Sequence, residues 1–287
     1  MPELPEVETI KRELSPWVVR QSFTQVAILD DKVVSDTPVE EFRRRLIGQR
    51  IQNMERRGKY LIFKLSNGES LIMHLRMTGT LLLKNPERID RYIRATFHFS
   101  NGIQLLFRDP RRFGKMWLVA NAESIVGKLG PEPLSGGFTP DILAQGLSKH
   151  CIPIKAALID QNIVAGIGNM YADEALFAAR IHPLRKADSL SSEETRTLYY
   201  SIRQVLCSAI DRKGASVDTY FRPDGQLGLA QFDFKVAHRS GQSCSACGTP
   251  LQRVLVRNRG SYFCPNCQPY TEVLQFDFPV SYGALWD

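Results

Sequence analysis

Six residues at the start of the chain, Met1-Pro2-Glu3-Leu4-Pro5-Glu6, have the makings of nucleophilic chemistry. A start methionine before a small residue is commonly trimmed, and trimming here would leave the Pro2 nitrogen as a free secondary amine. Such an amine attacks an electrophilic carbon and forms an iminium, as lysine does in Schiff-base chemistry. Glu3 and Glu6 follow within one helical turn as acid–base candidates. On these six residues alone a proline-stiffened N-terminal arm is the better fit, so the rest of the chain has to decide.

The most specific motif lies at the other end. Cys244-x-x-Cys247 and Cys264-x-x-Cys267 are separated by 16 residues, the pattern of two knuckles holding one tetrahedral Zn2+. Four thiolates leave no open coordination position, so this zinc is structural. The segment between the pairs, Pro250–Phe263, reads as a β-hairpin. At its turn, Arg259 in Asn258-Arg259-Gly260 is either a bidentate phosphate contact or a solvated turn residue. Cys151 and Cys207 stand alone and are expected to be small buried fillers.

Weaker signals lie between. Gly166-Ile167-Gly168-Asn169 opens a helix, where free amides and close backbone approach can take an anion. Lys59 follows Arg56-Arg57-Gly58 at a strand start, as a phosphate clamp, an acid–base group or a solvated lysine. His74 and Met77 flank a strand-to-turn junction. Arg111-Arg112-Phe113-Gly114 puts cations beside an aromatic on a tight loop, the composition of a wedge driven into a base stack.

The elements that must position these residues are legible from patterning. Val7, Ile10 and Leu14 give one apolar face to a helix over Pro5–Trp17, closed by Pro16. The Pro2 amine would then precede a positive helix end, which favours its uncharged form. Residues 23–119 hold short β-rich runs at Phe23–Leu29, Arg50–Met54, Tyr60–Leu65, Ser70–Leu75, Arg94–Phe99, Ile103–Phe107 and Lys115–Val119. Asn67-Gly68 and Asn101-Gly102 serve as hairpin turns, and a helix interrupts the runs at Val39–Leu46. Gly and Pro dominate residues 127–140, the expected hinge. Helices are expected at Pro140–Lys149, Pro153–Gln161, Asn169–Ala178 and Ser192–Arg212, the last with a capping box at Ser191 and Glu194.

The fold class is therefore α+β and multidomain: an N-terminal β-sandwich with flanking helices, a C-terminal helical domain and a four-cysteine finger. The expected divisions are 1–130, 131–235, 236–268 and an aromatic-rich tail at 269–287. The net charge is +7, which fits a polyanionic partner. No apolar run approaches bilayer length and no signal-peptide core is present, so a soluble cytoplasmic protein is expected.

Taken in order, Pro2–Thr9, Gly58-Lys59-Tyr60, His74 with Met77-Thr78-Gly79, Asp109–Gly114, Leu129–Leu134, Asp160–Glu174 and the cysteine finger resemble formamidopyrimidine-DNA glycosylase, the bacterial bifunctional base-excision repair family. The resemblance runs over about residues 2–268. It implies a monomer acting on damaged double-stranded DNA at the bacterial nucleoid, with one zinc per chain. It implies excision of oxidised purines (8-oxoguanine, formamidopyrimidines) through a Pro2 Schiff base, then strand cleavage by β,δ-elimination.

By resemblance, Glu3 assists base loss, Glu6 positions the N-terminus, Lys59 is a second acid–base group and phosphate contact, and Arg259 serves the δ-step. Met77, Arg111 and Phe113 fill the hole left by the flipped nucleotide, while His74, Lys149 and Asn169 contact DNA. Segment 131–215 is the family's helix–two-turns–helix region. Tyr92 stands where the family often has a DNA-contacting histidine. The loop Asp224–Ala230 lacks the family's usual aromatics, which bears on lesion choice. An endonuclease VIII-like glycosylase for oxidised pyrimidines and a non-catalytic zinc DNA-binding protein are the alternatives.

Overall fold

The computed structural model describes residues 1–83 and 91–270 of the 287-residue chain; the expected tail lies, from residue 271 onward, outside the described residues. Helix α1 spans Leu4–Val18. Its N-terminus carries a reciprocal capping box between Glu3 and Glu6, with proline in the first turn, where its missing N–H costs nothing. Val7, Ile10, Leu14 and Val18 form the buried stripe. Each such side chain contributes about 1.5–3 kcal/mol on burial. The helix runs through Pro16, contrary to the expected stop. Pro16 is exposed in the last turn, and the Val19 amide closes the helix on Ser15 O at 3.0 Å.

The sandwich comprises β1 (Phe23–Ile28), β2 (Ile51–Arg57), β3 (Tyr60–Leu65), β4 (Ser70–His74), β5 (Thr80–Leu83), β6 (Ile93–Phe99), β7 (Gln104–Arg108) and β8 (Lys115–Val119), with α2 (Val39–Leu46) alongside. Among the described residues these make two four-stranded sheets, ordered β1-β6-β7-β5 and β2-β3-β4-β8. Pairing is antiparallel throughout both. β6 alternates buried and half-buried residues, as a strand with one covered face should. Phe23, Phe42, Phe63, Phe97 and Phe107 fill the core against the α1 stripe. Patterning does not reveal β5, because Thr80–Leu83 is buried nearly throughout and lacks alternation.

A short helix, α3 (Glu123–Val126), leads into the linker. The linker is clasped to the sandwich at Glu132. Its carboxylate takes Arg56 Nη1 at 2.9 and 3.0 Å, Arg57 Nη1 at 3.4 Å and the Gly58 amide. Then follow α4 (Pro140–Leu147), α5 (Ile154–Ile159), α6 (Asn169–Ala178) and α7 (Ser192–Asp211), packed around a second apolar core. Leu4 belongs to this second core, whereas Val7 onward belongs to the first. α1 is thus shared between the two halves.

The finger hairpin pairs β9 (Gln252–Val256) with β10 (Arg259–Phe263). Arg257 and Asn258 form the turn in the left-handed region (φ 46° and 61°), so Arg259 opens a strand and does not sit in the turn. Cys151 and Cys207 are exposed, against expectation. Cys151 lies in the loop beyond α4. Cys207 lies on the face of α7 opposite Leu198, Ile202, Leu206 and Ala209.

Candidate active site

The N-terminus is built into the junction of the two halves. Met1 is half-buried and Pro2 is buried behind it. The Leu4 amide donates to Gly166 O at 3.0 Å. Glu3 sits on the start of α6: Gly168 N–H donates to its Oε2 at 2.7 Å and Met170 N–H to its Oε1 at 3.1 Å. The anion expected at Gly166-Ile167-Gly168-Asn169 is therefore the chain's own carboxylate. A Cβ on Gly168 would collide with the Glu3 carboxylate, and Gly166 combines φ +88° with Leu4 packed against it, so neither glycine tolerates a side chain.

Glu6 is fully buried. Its carboxylate accepts from the Glu3 amide (2.8 Å), the Tyr171 hydroxyl (2.5 Å) and the Ala215 amide (2.8 Å). Burial raises its pKa, and the neighbouring Glu3 adds to this. Glu6 therefore ties α1, α6 and the loop after α7 to one point. Ala215 lies outside every motif, and Tyr171, although inside the Asp160–Glu174 stretch, has no spacing that marks it.

In front of the N-terminus opens a cavity of about 520 Å³ lined by Met1, Lys59, His74, Met77, Phe113 and Arg259, among others. Residues from opposite ends of the chain thus meet in one place, as the motifs implied. Arg76 and Lys115 also line it. No motif marks these two; strand pairing of His74 with Lys115 is what brings the latter in. Met77 and Phe113 are 39% and 49% exposed, so neither is a packing residue. The Arg111 guanidinium lies 4.9 Å from the Phe113 ring centroid.

Electrostatics suit an anion. Burial lowers the Lys59 pKa and Arg259 lowers it further, while Glu3 and Glu6 pull it back. His74 is pushed down to about 3, by burial first and then by Arg76 and Lys59. Its Nδ1 accepts the Arg76 amide at 2.9 Å, so the proton of the neutral ring resides on Nε2.

Other expected site residues stand apart from the cavity. The Asn169 amide nitrogen donates to Gly260 O at 3.0 Å. Lys149 is exposed beyond α4. The Tyr92 ring has the guanidinium carbons of Arg91 and Arg108 at 5.0 and 5.1 Å. The loop after α7 is tied to α1 through Arg222 Nη2 and Glu13 Oε1 at 2.8 Å.

The four finger sulfurs lie within 4.8 Å of one another, with Cys244–Cys267 at 3.9 Å and Cys247–Cys264 at 3.4 Å. Zinc–sulfur bonds of about 2.3 Å require edges near ~3.8 Å, and the four thiols fit. This is a closed structural zinc site. Gln268 locks the second knuckle to the helical half, accepting from the Cys264 amide (2.9 Å) and donating to Ile181 O (2.8 Å).

A zinc-stapled protein with its own N-terminus set into a basic cleft between a sandwich and a helical half is the class these features define. The family models described as formamidopyrimidine-DNA glycosylase N-terminal domain, its H2TH domain, and the zinc finger found in FPG and IleRS match residues 1–116, 129–220 and 241–269. The chain belongs to the formamidopyrimidine-DNA glycosylase family.

The formamidopyrimidine-DNA glycosylase of Symbiobacterium thermophilum is 43% identical over 95% of this chain and 90% of its own, and that of Herpetosiphon aurantiacus 42% over 93% and 100%. The crystal structure of the Thermus thermophilus MutM (FPG) protein superposes with TM-score 0.86 at 40% identity, over 94% of this chain and 100% of that one. A Lactococcus lactis FPG mutant bound to Fapy-dG-containing DNA gives 0.87 at 36%, over the same shares. Among the described residues, no helix is long and apolar enough to cross a membrane.

Proposed function

We propose that the chain excises oxidised purines, 8-oxoguanine and formamidopyrimidines, from duplex DNA and then cleaves the strand, with Pro2 as nucleophile. The observation that carries this reading is the convergence of Met1, Lys59 and Arg259 on one cavity, which Gly168, the residue that holds the Glu3 carboxylate, also lines. In a chain beginning at Met1 the Pro2 nitrogen is acylated. Removal of Met1 frees the amine at the cavity wall, ahead of the positive end of α1.

The flipped nucleotide then presents its anomeric carbon to that amine. Attack displaces the damaged base, which takes a proton from an acid, and the ring-opened sugar becomes an iminium on Pro2. Glu3, held by two amides, is suited to carry a proton between base and sugar. The iminium acidifies the adjacent sugar carbon. Loss of that proton, with Lys59 as acid–base group, expels the 3′-phosphate in β-elimination; a second loss, served by Arg259, expels the 5′-phosphate. The zinc, enclosed by four thiolates, serves to hold the finger that carries Arg259.

The remaining expected residues take their roles from placement. Phe113, Met77 and Arg111 form the exposed wedge for the vacated stack, and His74 offers a neutral N–H to phosphate. Tyr92, Lys149 and Asn169 would act at the DNA backbone. The division of labour follows residues 1–130, 131–235 and 236–268, with the tail beyond. A bacterial cytoplasmic, nucleoid-associated monomer is the implied setting.

Borohydride reduction of the protein with an 8-oxoguanine duplex should trap an adduct whose mass places the sugar on Pro2 of a Met1-free chain. An adduct on another residue, or on a chain retaining Met1, overturns the mechanism. Release of thymine glycol without release of 8-oxoguanine overturns the substrate class.

A further inference from the structure

Behind the cavity, Lys155 and Asp173 form an ion pair with Nζ and Oδ1 2.6 Å apart and side chains 0% and 1% exposed. Buried pairs contribute little net stability, because desolvation cancels much of the attraction. What this pair touches is therefore more informative than its strength. Lys155 Nζ donates to Gly260 O at 3.1 Å, and Asn169 Nδ2 donates to the same oxygen at 3.0 Å. Gly260 directly follows Arg259.

The hairpin geometry explains the arrangement. β10 pairs with β9 along one edge, Gly260 opposite Leu255 and Tyr262 opposite Arg253. In an antiparallel ladder, backbone groups of alternate residues point to the same edge. Gly260 O and Tyr262 N–H thus face away from β9, where a third strand would pair. Lys155 takes the carbonyl there, and the Tyr262 amide favours the charged form of Asp173. Arg253 covers Gly260 on another side: a Cβ at 260 would lie 2.7 Å from its Nε.

Among the described residues the Arg259 guanidinium has no hydrogen bond or ion pair of its own. Its position in the cavity depends on its backbone, and that backbone is held at the next residue. We propose that the Lys155–Asp173 pair is a positioning element for Arg259: it stands in for a missing strand at the edge of β10 and so aims the guanidinium at the phosphate expelled last. This rests on the reading that Arg259 serves the second elimination.

The test compares products on a duplex holding one abasic site, where β-elimination alone leaves a 3′-unsaturated aldehyde and β,δ-elimination a 3′-phosphate. Asp173→Asn keeps shape and removes the charge. It should retain one zinc and normal borohydride trapping, yet lower the 3′-phosphate fraction by about tenfold, the loss also expected of Arg259→Ala. The double variant should be no worse than Arg259→Ala, since both act through one group. Amide exchange over residues 259–263 should quicken, with the cysteine knuckles still protected.

A purely structural pair would lower stability and leave the product ratio alone. An unchanged ratio in Asp173→Asn alongside a shifted one in Arg259→Ala overturns the proposal. An unchanged ratio in Arg259→Ala overturns the reading of Arg259 instead. If Asp173→Asn does not fold, Lys155→Met, which removes the donor toward Gly260 and keeps the apolar stem, takes its place with the same expected and overturning results.

Discussion

Glu3 and Gly168 are joined by a 2.7 Å hydrogen bond from backbone amide to carboxylate, although 165 positions separate them in the chain. That bond brings the acidic N-terminus onto the positive end of α6, and it exists only because residue 168 has no side chain. Gly168→Ala should therefore expel the Glu3 carboxylate and leave the Gly168 and Met170 amides without their acceptor. Each lost buried bond costs about 1–3 kcal/mol. Urea unfolding should register that loss, and base release should fall by at least about a hundredfold if Glu3 moves the proton. An alanine variant of ordinary stability and rate would show that Glu3 does not depend on α6.

His74 makes stability depend on pH in a defined direction. Its folded pKa is about 3 against an ordinary 6.5. Above pH 6.5 both states are neutral there and the group contributes its full share. Below 6.5 the unfolded chain binds a proton that the folded one refuses, so stability drains away as pH falls toward 3. Between pH 7 and pH 5 the loss is roughly 2 kcal/mol. Asp173, whose pKa burial raises, works in the opposite sense over that range. The difference between wild type and His74→Asn in denaturant midpoints at the two pH values isolates the histidine; identical pH dependence in both would refute the assignment.

The finger should behave as a metal-dependent unit. Structural zinc contributes apparent binding free energies of about 10–16 kcal/mol in isolated fingers. Cys264→Ser, or chelation, should release one zinc per chain, loosen β9 and β10 and abolish duplex binding. The sandwich and α1 should keep their far-ultraviolet signature, because their core excludes the finger. Loss of the sandwich on chelation would contradict the separation of these cores.

Much of this was legible in sequence because local rules agreed with the fold. The Asn-Gly turns, the α1 stripe, the capping box at Ser191 and the cysteine spacing each follow from a handful of neighbouring residues. The motifs also name Met1, Lys59, Met77, Phe113 and Arg259, which the fold brings to one cavity. What could not be read is long-range. Lys115 enters the cavity through strand register, Tyr171 and Ala215 reach Glu6 through tertiary packing, and Lys155 meets Asp173 and Gly260 across three elements. β5 lacked alternation because nearly all of it is buried. Pro16 misled because a proline in an exposed last turn forfeits one hydrogen bond without ending the helix.

Phe113 provides the test of duplex opening. Its ring is 49% exposed beneath the Arg111 guanidinium, with Met77 lining the same cavity. On the proposed reading, this ring enters the gap left in the base stack when DNA binds. Unstacking a paired nucleotide costs a few kcal/mol, and a wedge that fills the gap offsets part of this. Phe113→Ala should thus lower kcat/KM on a lesion paired with cytosine by roughly ten- to a hundredfold. On a lesion opposite an abasic gap, where little stacking must be broken, the loss should be far smaller. Fold stability should be unchanged, since the side chain supports no core. Equal losses on both substrates would mean that Phe113 acts on chemistry or general affinity and not on extrusion of the base.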